Sequence, residues 1–174
     1  MPIQILPDPL SLLRPVSKTV TVTKTRPADT ATYTVGDAIS ESTSAGTVWT
    51  FPWARAAGLG AILQDAEMIV STAQTMRLDA RLWIFDTAPA TTLNDNVAWT
   101  PTDAEMKTLL TIVSFAVAEV KVGSGNTVIE QAALARSLAC ASGSASLYGV
   151  LVANNAYVPT SAEDVTIRLR QIQD

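Results

Sequence analysis

Apolar and polar residues alternate along most of this chain, at the two-residue period of a β-strand. The cleanest case is "VTIRLRQI" (165–172). Val165, Ile167 and Leu169 fall on one side; Thr166, Arg168 and Arg170 fall on the other. "SKTVTVTKT" (17–25) alternates in the same way and is rich in β-branched residues. In "MRLDARLWIFD" (76–86), Leu78, Ala80, Leu82 and Ile84 make one face. Arg77, Asp79, Arg81, Trp83 and Phe85 make the other, which turns from charged to aromatic along its length. A strand half covered at one end is expected there. "LLTIVSFAVAEVKV" (109–122) sets Ile112, Ser114, Ala116 and Ala118 against Val113, Phe115, Val117 and Glu119. "TVWTF" (47–51) and "SLYGVLVA" (146–153) read as strands, and Gly149 inside the second marks a bulge or a close approach. "GAILQDAEMIVS" (60–71) is apolar enough for a core strand, although its pattern also fits a helix.

Between these runs lie turn signals. "ATYTVGDAI" (31–39) holds a turn at Gly36–Asp37 between two short strand-like pieces; 41–46, 123–126 and 154–164 read as loops. In "TPTDAEM", Thr102 and Glu105 have capping-box spacing, with Asp103 at the helix start, which predicts one or two helical turns from 102 to about 110. The segment 127–141 is open: its alanines favour helix and its neighbours favour strand. About eight strands at short spacing, with no βαβ alternation, predict an all-β antiparallel sandwich of the jelly-roll kind over 17–174, with one inserted helix. Residues 1–16 stand apart. Pro2, Pro7, Pro9 and Pro15 forbid a continuous helix, while Ile3, Ile5, Leu6, Leu10, Leu12 and Leu13 make the segment more apolar than a disordered tail. It reads as an extended arm that docks on its own domain or on a neighbouring subunit.

Composition narrows the function. The chain has 174 residues, enough for one domain with a core of its own. Charged residues make up only 16%, well under the ~25% of ordinary soluble domains, which favours a surface covered by a partner. A net charge of −4 and no basic block argue against nucleic acid. The N-terminus lacks the basic start of a secretory signal, and no apolar run approaches the ~20 residues of a membrane span. There is one cysteine, Cys140, and no histidine, which leaves no internal disulfide, no zinc set and no nucleophile with a histidine base. Asp95 and Asp103 flank Trp99, and paired acids beside an aromatic ring would suit sugar cleavage. Turn chemistry at Asn94–Asn96 and the helix start account for the two carboxylates without it. "NDN" and "SAED" match no calcium loop, and "GLG" and "GSG" read as turns. No catalytic residue, cofactor or metal is expected. Trp49, Phe51 and Trp53 share one side of "VWTFPW"; they read as a plug in the core or at an edge, with a subunit or carbohydrate contact as the alternative.

"TKTRPADTATYTVGDAI", "DARLWIFDTAP", "LNDNVAWTPTDAEM" and "SLYGVLVANNAYVPTSAEDVTIRL" together resemble a family of small virion proteins of tailed bacteriophages. The matching residues are Tyr33, Gly36 and Asp37; Leu82, Phe85, Asp86 and Pro89; Asp95, Asn96, Thr100, Pro101 and Asp103; and Tyr148, Gly149, Tyr157 and Ser161. The resemblance covers about residues 24 to 172. It implies a decoration (cement) protein that binds the major capsid protein on the outer face of the head. It further implies a homotrimer, assembled in the host cytoplasm. The arm residues, with Trp49, Trp53 and Trp99, are then the expected capsid or subunit contacts. A tail- or spike-associated module, or a carbohydrate-binding one using Trp49, Trp53, Trp83 and Trp99, is the competing expectation.

Overall fold

The computed structural model describes residues 16–71, 77–116, 120–122, 124–131 and 133–173. The arm lies outside these residues except for Val16, which already belongs to the first strand. Residues 117–119 of the alternating run 109–122 lie outside them too. Among the described residues ten strands form: β1 (Val16–Thr25), β2 (Trp49–Pro52), β3 (Gly60–Val70), β4 (Ala80–Phe85), β5 (Leu109–Phe115), β6 (Val120–Val122), β7 (Thr127–Gln131), β8 (Arg136–Ala139), β9 (Ser146–Ala153) and β10 (Asp164–Gln173). One helix, α1, spans Asp103–Met106.

The pairing is nested. β1 pairs with β10, β2 with β9, β3 with β7 and β8, and β4 with β5, all antiparallel. Pairing of β3 with β10 and of β4 with β9 then joins these ribbons into two packed sheets, β1-β10-β3-β7-β6 and β2-β9-β4-β5. A long ribbon of antiparallel pairs rolled into two layers is a jelly roll. The alternation seen in the sequence sets what faces inward. Val165, Ile167 and Leu169 are buried against Leu63, Met68, Leu82, Ile84 and Leu151, while Arg168 and Arg170 lie outside. Full burial of each such side chain contributes ~1.5–3 kcal/mol.

Two expectations change. The helix expected over 102–110 is a single turn, because Leu109 onward must extend to pair with β4 and bury Thr111, Val113 and Phe115. The ambiguous segment 127–141 is neither one helix nor one strand. β7 pairs with residues 66–70 of β3 and β8 with residues 60–63, so both lie along the same edge. They part where the β3–β10 register shifts opposite Arg170/Gln171. There the Gln64 carbonyl accepts from Leu134 N–H, and Ala133 and Ala135 take positive φ values of 56° and 45°.

The outer faces of the two sheets differ. On the first, Arg170 reaches Glu67 at 2.6 Å and Asp65 at 3.5 Å in a charged ladder. On the second, Phe85, Val150 and Val152 are buried beneath Ala38, Leu93 and Trp99 in a separate small core. The charged-to-aromatic face of β4 is therefore half covered, by the segments 34–40 and 93–101.

Candidate functional site

The segments that cover the second sheet are fastened at one end of the sandwich. Residues 36–39 occupy the edge of β9 that β2 leaves free: Ile39 N–H donates to the Leu151 carbonyl and Gly36 N–H to the Ala153 carbonyl, both at 2.9 Å. Residues 96–99 add on outside, with Trp99 N–H donating to the Gly36 carbonyl at 3.0 Å. Asp95 anchors the assembly from within. It is 2% exposed; its carboxylate accepts from Arg26 Nη2 at 2.9 Å, from Tyr33 Oη at 2.5 Å and from Ser40 N–H at 2.9 Å. Arg26 is itself 3% exposed and also donates through Nε to Tyr33 Oη. Tyr33 stacks on Tyr157, whose hydroxyl donates to the buried Glu163 at 2.6 Å. Burial disfavours the Arg26 guanidinium, yet Tyr33 and Asp95 hold it charged, above its ordinary value. Desolvation first, and then the neighbouring carboxylates of Asp95 and Glu163, keep the phenols of Tyr33 and Tyr157 protonated.

Every oxygen of Asp95 is committed, and Asp103 stands on the exposed first turn of α1, so the two carboxylates have separate structural roles. Cys140 is buried, and desolvation pushes its thiol up, away from the reactive thiolate. Among the described residues no three His, Cys, Asp or Glu side chains lie close enough to hold a metal ion. No helix among them is long and apolar enough to cross a membrane.

Of the expected contact residues, Trp49, Trp53 and Trp99 are only 1%, 0% and 8% exposed. Trp49 and Trp53 fill the main core, and Trp53 Nε1 donates to the Leu138 carbonyl at 3.0 Å. These two rings present no outward surface. The six apolar arm residues lie outside the described residues.

Trp83 and Trp99 come together instead. Their rings meet edge-on at 5.5 Å, and Phe85 closes on Trp99 at 5.9 Å. Beside them opens a pocket of about 180 Å³, lined mainly by Trp83, Trp99, Pro101, Val152, Arg81 and Asn154. Its walls are apolar except at the rim. There Asn154 is tied to Asp79 at 3.2 Å, whereas Arg81 is exposed and has no polar partner among the described residues. The indole N–H groups of Trp83 and Trp99 are also buried without a partner among those residues. The sequence showed this site only as the face of β4 that passes from Arg81 through Trp83 to Phe85. Nothing in it linked Arg26 to Asp95, which are far apart in the chain. Compared with known protein families and with curated proteins, the sequence matches no family model and no curated protein.

Proposed function

We propose that this chain is a structural protein of a tailed-bacteriophage particle, a decoration protein that binds the outer surface of the assembled head and stabilises it. The supporting observation is where the residues of the resemblance sit. Tyr33, Gly36, Asp37, Asp95, Asn96 and Tyr157 all converge on the knot that fastens the covering loops to a jelly roll. Asp37 accepts from Thr34 N–H at 2.6 Å, and Asn96 takes a left-handed φ of 56°. Such residues hold the shape of the fold through turns and buried hydrogen bonds. A rigid, charge-poor sandwich with an apolar arm suits a protein held between copies of itself and the major capsid protein as a homotrimer.

The test is particle stability. Heads of the matching phage assembled without this protein are expected to release DNA at a lower temperature than heads that carry it. Adding back the purified protein should restore the difference. Equal release temperatures with and without the protein would refute a cementing role. The competing carbohydrate-binding expectation loses Trp49 and Trp53 to the core and retains only the Trp83–Trp99 pocket.

A further inference from the structure

We propose that the Trp83–Trp99 pocket receives Met106 from a second copy of this chain, with Asp103 of the partner subunit paired to Arg81. The pocket sets the chemistry of its occupant. At about 180 Å³ it lies below the ~300–1,000 Å³ of typical small-molecule sites and suits one long side chain. Indole rings, Pro101 and Val152 form its walls. Its rim carries the Arg81 guanidinium, exposed and without a polar partner among the described residues. The rim amide of Asn154 is already tied to Asp79. Such walls and such a rim accept an apolar group beside a negative charge. A sugar would turn most of its hydroxyls toward indole and proline, where they find no partner.

The chain offers that combination on α1. Met106 is 38% exposed, and Asp103, exposed and without a polar partner among the described residues, lies three positions before it. That spacing sets both side chains on one helix face. By helical rotation Lys107 falls on the other side of Asp103, away from Met106. Methionine is unbranched, and its sulfur packs favourably against aromatic rings, so it fits an irregular indole-lined recess. The surface between α1 and the pocket is apolar: Leu110, 37% exposed, and the half-buried Ile112 continue along the outward face of β5 beside Trp83.

The chain's own α1 does not fill the pocket. Glu105 pins the turn to the neighbouring loop, accepting from Ala90 N–H at 2.8 Å and from Thr91 N–H at 2.7 Å, and with Thr102 it closes the capping box. So held, α1 leaves Met106 in solvent and Asp103 without Arg81. The α1 of a second copy is under no such restraint. Knob and pocket are different patches of the surface, so each copy gives one and receives one. A contact of this head-to-tail kind closes into a ring where the rotation allows it. Three members make the homotrimer proposed above, and for the size of the ring the inference rests on that reading. The Asp103–Arg81 pair fixes the register of the contact.

The test is sedimentation equilibrium of the full chain over a range of concentrations. The proteins compared are the wild type, Arg81→Glu, Asp103→Lys, the double reversal and Met106→Ser. All three side chains are exposed, so the variants should fold; far-ultraviolet circular dichroism checks this. The wild type is expected to form trimers. Each single variant should weaken association about tenfold, and the double reversal should recover most of the loss of its two members. A trimer that none of the variants weakens would overturn this contact and leave the homotrimer standing. A dimer weakened by the single reversals and restored by the double would support the contact and remove the trimer. A double reversal no better than the singles would overturn the contact. So would a wild type that is monomeric throughout; if an acidic oligosaccharide then quenched its tryptophan fluorescence, the pocket would belong to a glycan.

Discussion

At the residue scale, the strongest commitments are buried and long-range. Asp95 and Arg26 form an ion pair that is almost wholly out of water. Removing one partner leaves the other charged and uncompensated, which costs about 3–5 kcal/mol. Asp95→Ala and Arg26→Ala are each expected to destabilise the fold by that amount in urea unfolding. The double variant should lose much less than the sum, because the two residues act as a unit. A strictly additive double variant would contradict the coupling. Close approach makes a second point. A Cβ on Gly46 would lie 1.8 Å from the Leu93 carbonyl oxygen, so Gly46→Ala must displace backbone. It should cost more than Gly149→Ala, whose Cβ would meet the Leu82 and Phe51 side chains at 2.9 Å. Urea midpoints compare the two directly. Gly149 was legible in the sequence because a glycine inside a strand pattern marks a bulge or a close approach. Asp95 was legible only as a turn residue, since local spacing carries no trace of a partner as distant in the chain as Arg26.

At the scale of elements, α1 shows how one carboxylate ties a turn together. Glu105 accepts from Thr102 N–H at 2.7 Å, from Thr91 N–H at 2.7 Å and from Thr91 Oγ1 at 2.5 Å. Desolvation works to raise its pKa, but these hydrogen bonds outweigh it and hold the carboxyl at about 2, below its ordinary 4.5. A depressed carboxylate stabilises the fold above its unfolded pKa and loses that contribution as pH falls through the folded value. Glu105→Gln should therefore melt below the wild type at pH 7, and the gap should close between about pH 4.5 and pH 2. Melting curves across that range decide it; a gap independent of pH would point to packing instead of charge. The capping box was visible as Thr102 and Glu105 three apart, but the length of the helix was not. Strand pairing of β5 with β4 ends it after one turn, and pairing is a tertiary property. The same holds for 127–141, where the register shift in β3 splits the edge into β7 and β8 despite the local alanine content.

At the scale of the whole molecule, alternation made the all-β class and the sandwich legible, since each strand buries one face against a second layer. The nested order could not be read from spacing alone, because which strand pairs with which depends on connections that cross between the sheets. The pocket was half legible: the change from Arg81 to Trp83 along β4 marked a boundary of cover, and the loop carrying Trp99 supplied the other wall from outside the strand pattern. The apolar arm and the joints at Tyr33, Asp95 and Tyr157 together suit a part held in place by neighbours. The most direct measurement is co-sedimentation of the purified full chain with matching capsids, counting bound copies against the major capsid protein. Saturation at a fixed ratio to the capsid lattice, in whole trimers, is the result expected of a decoration protein. Failure to bind either mature or immature capsids would contradict that role.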